Sequence, residues 1–372
     1  MRYGFTTGSC AAAASKAAAY MLLTGQEKKT IRIETPKGIP FDAQIVEITR
    51  EEISVSCAVR KDGGDDPDIT TGALVFATVT LESTELEDSD DIVIDGGIGV
   101  GRVTKRGLDQ PVGYAAINHV PREMILREVR EVCLLTDYRG GLKIEISVPE
   151  GEKLSEKTFN PKLGIIGGIS ILGTSGIVEP MSSQALLDTI RVELNVKKAE
   201  GYHEIAVSPG NYGLEFMKRT YQYDLNQSVK CSNFIGDTID MAVGLGFHSI
   251  LLTGHIGKLI KLSGGMMNTH SKEGDCRMEL MASAGIQAGI NAEGAQAILN
   301  ASTTEEGIRI LKEAGKLESA MGIIIEKAYF YLNRRGGGNI QIECIMYSNE
   351  YGELIKSNGA EKLLYRIKEM GE

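Results

Sequence analysis

Many of the signatures that announce a reaction are missing from this chain of 372 residues. There is no HExxH and no paired Cys/His spacing, which excludes the zinc sites readable from sequence. There is no GxSxG elbow, which excludes the α/β-hydrolase nucleophile. The six cysteines (Cys10, Cys57, Cys133, Cys231, Cys276, Cys344) form no CxxC pair and read as reduced thiols. Positive charge is scarce: 40 Lys and Arg against 50 Asp and Glu give a formal net charge of −10. That balance speaks against non-specific nucleic-acid binding, while a few clustered cations can still serve one anionic pocket. No apolar run reaches membrane-spanning length. The stretch "AAAASKAAAYMLL" carries Lys16 and lacks a basic leader, so it is not read as a signal segment. These absences predict a soluble, cytoplasmic protein without membrane or nucleic-acid partners. They leave a homo-oligomer open.

Glycine is abundant, at 44 residues, and much of it falls in short runs where backbone can turn sharply or approach a ligand. The length suggests two domains. Over residues 1–155, "TIRIETPKG", "PFDAQIVEIT", "EISVSCAVRK" and "GLKIEISVPEG" alternate as half-buried antiparallel strands. With the opening helix and "PREMILREVREVCLL" they predict an α+β domain whose sheet is mostly antiparallel. From 156 to 372, apolar strands alternate with helices, which predicts a Rossmann-like α/β domain with a mostly parallel sheet, closed by a hairpin and a last helix. "LGIIGGISILG" is expected to be the first of those strands.

Three loops, "GTSGI", "PGNYG" and "TGHIGK", each follow an expected apolar strand. Parallel strands would set all three along one sheet edge, where open α/β sheets bind ligands. Gly173, Thr174, Gly210 and Asn211 are therefore candidate cofactor-binding residues. "TGHIGKLIKL" adds His255, Lys258 and Lys261, with His270 following in "MMNTHSKEGD". The two histidines are candidate catalytic bases, and the lysines are candidate cations for an acidic substrate. The loop lacks the glycine spacing and the Ser/Thr of a Walker A motif.

In the first domain, "IVIDGGIGVGR" supplies Asp95, Gly97, Gly99 and Gly101 in the D-x-G-x-G-x-G pattern of nucleotide and S-adenosylmethionine loops. No helix is expected after it, so the motif fails its usual context test. Asp62, Asp65, Asp66 and Asp68 crowd "KDGGDDPDITTG" without EF-hand spacing, and no resident metal is expected. At the chain start, Thr6, Thr7 and Ser9 crowd the entry to an alanine helix. One can act as N-cap, and the others suit an acidic ligand group at the positive helix end. Close packing explains the alanines equally well.

Taken in order, "GFTTGSCAAAASKAA", "KDGGDDPDITTGA", "GGIGVGRVTKRGL", "AINHVPREMI", "FNPKLGIIGGISILGTSGIVEPMS", "SNFIGDTID" and "GHIGKLIKLSGGMMNTHS" resemble the cobalt-precorrin-5B (C1)-methyltransferase family of anaerobic cobalamin biosynthesis. The likeness runs from about residue 4 to residue 277, and His119 departs from the pattern. It implies methyl transfer from S-adenosylmethionine, as co-substrate, to ring carbon C1, giving cobalt-precorrin-6A. Cobalt would arrive inside the corrinoid substrate. The resemblance assigns no catalytic residue. Beside it, the carboxylate arms of such a substrate call for cations, and Arg102, Lys105, Arg106, Arg122, Lys258 and Lys261 lie in the matched blocks. A nucleotide-dependent oxidoreductase or kinase, and a non-catalytic corrinoid-binding protein, are the alternatives.

Overall fold

The helix that opens the chain, α1 (Thr7–Thr24), is buried on every side along most of its length. Cys10 to Ala14 and Ala17 to Ala19 have no exposed surface at all. A helix without a solvated face needs small side chains wherever neighbours approach closely, and this accounts for the alanines. α1 lies against the helix α2 (His119–Leu135) and a mixed sheet. The computed structural model describes residues 2–82, 92–158, 160–180 and 182–371; Phe159 and Met181 of the blocks quoted above lie outside the described residues.

The sheet of the first unit contains β1 (Thr30–Glu34), β2 (Pro40–Arg50), β3 (Ser54–Arg60), β4 (Leu74–Glu82), β5 (Ile92–Gly96) and β6 (Gly141–Ser147). Its order is β1-β2-β3-β4-β6-β5. All neighbours run antiparallel except β5 beside β6. The expected alternation is present: Ile33, Ala43, Ile45, Val75, Ala77 and Val79 point into the core that also holds the alanines of α1.

Two compact units divide the chain after Ser183. Residues 156–183, assigned from sequence to the second domain, pack within the first. "LGIIGGISILG" is not a strand of the parallel sheet. Only Ile165–Ile166 pairs, antiparallel with Arg102–Val103, and single bridges join Ile169 to Val100 and Ile171 to Ile117. Gly164 and Gly167 have φ of +81° and +83°, which breaks the extended run that the apolar residues suggest.

The second unit is the expected α/β layer structure. Its elements are α3 (Ser183–Ala199), β7 (Glu204–Ser208), α4 (Leu214–Tyr221), β8 (Val229–Lys230), α5 (Ile235–Gly244) and β9 (Ser249–His255), followed by α6 (Arg277–Gln287), α7 (Ala292–Asn300), α8 (Thr304–Glu313), α9 (Leu317–Gly336), β10 (Gln341–Ser348), β11 (Gly352–Lys356) and α10 (Ala360–Gly371). Strand order is β8-β7-β9-β10-β11, parallel until the final β10–β11 hairpin. Both faces are covered. Ile205, Val207, Ile250, Leu252, Ile342 and Cys344 join the core formed with α3, α5 and α9, whereas Ala206, Leu251 and Ile345 pack with Met217, Leu363 and Ile367 on the other side. Burial on two faces is why these strands read as continuous apolar runs. Among the described residues no helix is long and apolar enough to cross a membrane.

Candidate functional site

In the second unit the parallel strands deliver their carboxyl ends to one edge. Residues 209–213 follow β7, residues 231–234 follow β8, and residues 256–258 follow β9. The "PGNYG" and "TGHIGK" loops therefore share an edge as expected. "GTSGI" does not, because residues 173–177 belong to the first unit. Gly210 faces open space where a Cβ would stand, and Asn211 is exposed. Gly213 is different: its φ is +94° and a Cβ there would strike the Tyr347 ring. Its glycine serves packing.

The edge also holds residues that the sequence motifs did not single out. Lys230, at the end of β8, donates to Ser228 Oγ at 3.0 Å and to Ser208 Oγ at 3.1 Å. The two serines lie 2.9 Å apart and are buried. "SPG" after an apolar run is the one signal for Ser208 and none marks Ser228 or Lys230; a serine before a turn is too common to be diagnostic.

His255 closes β9 and caps the short helical segment Ile256–Leu259 that follows it. Its Nδ1 accepts from the Gly257 N–H at 3.0 Å. Its Nε2 lies 3.1 Å from Glu305 Oε1. Lys258, on that segment, is half-buried and has no hydrogen bond or ion pair among the described residues. Burial holds its ammonium below the usual lysine range, with a further lowering by Lys261. Cys231 lies close enough to oppose this, and its own thiol is pushed up to about 12 by burial. Lys261 is only 3% exposed and donates to the carbonyls of Thr269, at 3.2 Å, and Gly274, at 2.8 Å. It anchors the 269–274 loop. His270 is exposed on that loop, where its Nδ1 accepts from the Lys272 N–H.

In the first unit the start of α1 is covered by its own protein. Thr6 is the N-cap and accepts from the Ser9 N–H at 3.2 Å. Ser9 Oγ donates to the Gly176 carbonyl at 2.6 Å, and the Gly8 N–H donates to the Leu172 carbonyl at 3.2 Å. Gly173 has φ +142°, and a Cβ there would lie 2.4 Å from Thr6 Oγ1. Thr6, Ser9 and Gly173 are thus brought together to close the helix entry. Thr174 is exposed beside them. Thr7 is buried, and its hydroxyl has no partner among the described residues.

The glycine-rich loop of the first unit packs against protein. A Cβ on Gly97 would meet Glu145 and Ser147, one on Gly99 would lie 1.8 Å from the Val148 carbonyl oxygen, and one on Gly101 would meet Ile165 and Gly168. Asp95 receives a bidentate pair from Arg102, at 2.6 and 3.1 Å. That pair holds its carboxyl below the usual range against the opposing effect of burial. Arg122 is similarly occupied: it donates to the carbonyls of Ile117 and Ile94 at 2.8 and 2.9 Å. Burial lowers its pKa, and no carboxylate among the described residues is bonded to it. Lys105 packs its stem over Gly164.

The aspartate cluster is engaged internally. Asp62 pairs with Arg2, Asp65 accepts from the Arg2 N–H, and Asp68 pairs with buried Lys61. Among the described residues, no group of three or more His, Cys, Asp or Glu side chains is placed to hold a metal ion.

Comparison with known proteins adds the family. The CbiD family model matches residues 1–180, and the model described as CbiD, C-terminal domain, matches residues 268–358. A Cobalt-precorrin-5B C(1)-methyltransferase of Ruminiclostridium cellulolyticum is 48% identical over 95% of this chain and 91% of its own length. One from Methanocaldococcus jannaschii is 40% identical over 96% of each chain. A solved cobalamin biosynthesis protein (cbiD) from Archaeoglobus fulgidus is 29% identical, covering 73% of this chain and 84% of that one, with a TM-score of 0.39. Identity of this degree over nearly the whole of both sequences means that the chain belongs to the CbiD family of cobalt-precorrin-5B C(1)-methyltransferases.

Proposed function

We propose that this protein transfers the methyl group of S-adenosylmethionine to C1 of cobalt-precorrin-5B, giving cobalt-precorrin-6A. The observation that carries the reading is the 48% identity over 95% of the chain to a protein bearing that activity's name. The geometry agrees with it. A sulfonium methyl is already activated, so the chain's task is alignment of donor sulfur, methyl and acceptor carbon, an effect worth up to about 7–11 kcal/mol of barrier. Neither a covalent nucleophile nor a resident metal is needed for that task.

The carboxyl edge of the second unit fits a donor and an acidic ring better than the glycine loop of the first. Gly210 leaves open space, Asn211 is exposed, and Lys258 has no counter-charge among the described residues. Each would suit a carboxylate or a ribose hydroxyl. Asp95 and Gly97 to Gly101 already meet protein atoms, so the D-x-G-x-G-x-G likeness gives a nucleotide-dependent oxidoreductase or kinase no support. The substrate's carboxylate arms and a cytoplasmic location belong to the same proposal.

The test is incubation with methyl-labelled S-adenosylmethionine and cobalt-precorrin-5B, with the label located by NMR. Label at C1 is expected; label elsewhere, or none, overturns the reading. Thermal unfolding separates the cofactor classes, because a ligand at a hundred times its Kd stabilises by about 2.7 kcal/mol. S-adenosylhomocysteine is expected to give that shift, and NADH and MgATP none. Binding of the corrinoid without consumption of the donor would mean a carrier.

A further inference from the structure

His255 is bonded through both ring nitrogens, and the chain of bonds continues to two residues with no role so far. Nδ1 accepts from the Gly257 N–H, so it carries no proton, and the ring proton of the neutral imidazole sits on Nε2. That N–H points at Glu305 Oε1, 3.1 Å away. The other oxygen of Glu305 accepts from Ser348 Oγ at 2.8 Å. Ser348 itself accepts from the Glu350 and Tyr351 N–H groups at 3.1 and 3.0 Å and is 1% exposed. The ends of β9 and β10 and the first turn of α8 are thereby tied at one point.

Local capping does not explain Glu305. The N-cap of α8 is Thr303, which accepts from the Glu306 N–H at 3.2 Å. Glu306, in turn, reaches back to the N–H of Ser302, one residue before that cap, at 3.0 Å. Glu305 lies between these, and its carboxylate is turned toward His255 and Ser348. Nor does the Gly257 N–H require a histidine, since Ser, Asp or Asn caps a helix as well. A carboxylate that fixes the far nitrogen selects one tautomer and one ring orientation.

On the reaction reading given above, we infer that Glu305, braced by Ser348, holds His255 as the cap of the 256–259 turn, so that His255 and Glu305 are positioning residues which set where Lys258 stands. They are not an acid–base pair, because using Nδ1 as a base would require breaking the cap that builds the site. The sequence pattern had placed His255 in proton transfer.

Two readouts test this. The first is the nitrogen-15 NMR signature of His255 in the full-length protein, assigned among the five histidines by its loss in His255→Asn. The Nε2–H tautomer is expected in the wild type, with loss of that single tautomer in Glu305→Ala. An Nδ1–H tautomer in the wild type would overturn the inference. The second is steady-state methyl transfer by His255→Ala and His255→Asn, each first shown folded by circular dichroism. Asparagine can cap but cannot act as a base at neutral pH. His255→Asn is expected to stay within about threefold of wild-type kcat/KM, and His255→Ala to lose at least about tenfold, mostly in KM for the corrinoid. Equal loss in both variants, confined to kcat, would make His255 a base and overturn the inference. A wild type with the Nε2–H tautomer and no methyl transfer would support the capping network and sink the reaction reading instead.

Discussion

Lys258, in the helical turn Ile256–Leu259, and Lys261, in the 3-10 turn Ile260–Gly264 that continues it, stand three residues apart and meet opposite surroundings. Lys261 is buried and donates to the carbonyls of Thr269 and Gly274, while Lys258 has no bonded partner among the described residues. The same residue type at nearly the same place therefore meets two fates: Lys261 is spent on the fold, and Lys258 is the cation we propose for a ligand.

This separates two variants that sequence alone would treat as a pair. Lys261→Ala leaves two inward carbonyls without a donor and is expected to cost about 1–3 kcal/mol of stability in urea unfolding. Lys258→Ala is expected to stay within about 0.5 kcal/mol of wild type while raising KM for the corrinoid severalfold. If Lys258→Ala lost stability and kept its KM, the free-cation reading would fall.

The glycines divide in the same way. Gly99 has φ +73° and no room for a Cβ, so Gly99→Ala is expected to cost at least about 3 kcal/mol. Gly210 opens onto space, so Gly210→Ala is expected to unfold within about 0.5 kcal/mol of wild type. Its effect should appear in calorimetry as weaker binding of S-adenosylhomocysteine. Unchanged affinity in Gly210→Ala would remove that loop from the donor site.

Asp68 gives the fold of the first unit an acid limit. Burial alone would raise its pKa, but buried Lys61 and the Thr70 hydroxyl and N–H outweigh that and hold it below the usual range. A carboxyl with a lowered folded pKa adds stability above its unfolded value, about 3.9. That stability is lost as pH falls through the folded value. Asp68→Asn leaves Lys61 without its counter-charge and is expected to cost about 3 kcal/mol at pH 7. The gap between wild type and variant should close as pH drops from about 4 toward 2. A gap that stayed constant with pH would show that the charge of Asp68 is not what stabilises the loop.

Much of this architecture is legible in the sequence. Alternation marked the antiparallel strands because one face of each is buried, and the apolar strands β7 and β9, alternating with helices, marked a sheet covered on both faces. The boundary was not legible, because "LGIIGGISILG" has the composition of a buried strand and only its backbone angles show that it is not one. Glycines at 97, 99 and 101 carry no mark that tells close approach of a ligand from close approach of Val148 or Gly168. Glu305 and Ser348 escaped for a different reason. Glu305 stands 50 residues from His255 and 43 from Ser348, and nothing periodic links such separations until the fold closes them.

The buried pair between α1 and α2 yields the sharpest stability prediction. Lys16 Nζ lies 2.8 Å from Glu128 and 2.9 Å from Glu131, and it also donates to the Arg32 carbonyl at 3.2 Å. Burial pulls its pKa down, but the bonds to the two carboxylates outweigh that and leave it raised. Its contribution is therefore complete below the usual lysine value of about 10.4 and is lost as pH climbs through the raised one. The side chain of Glu128 is 4% exposed and that of Glu131 is 55% exposed. Arg127 also donates to Glu128, at 2.9 Å, from a half-exposed position, so Lys16→Met is expected to cost about 1.5–3 kcal/mol, the loss of the charged bond on the buried side of Glu128. Glu131→Gln should cost under about 1 kcal/mol, as exposed ion pairs do. The double variant Lys16→Met with Glu128→Leu is expected to recover most of the single variant's loss, since two apolar chains of similar size can replace a buried pair. Chemical unfolding of the three variants at pH 7 decides it. Failure of the double variant to recover would mean that the alanine face of α1 needs this ion pair, and not merely the absence of a half-paired charge, to set its distance from α2.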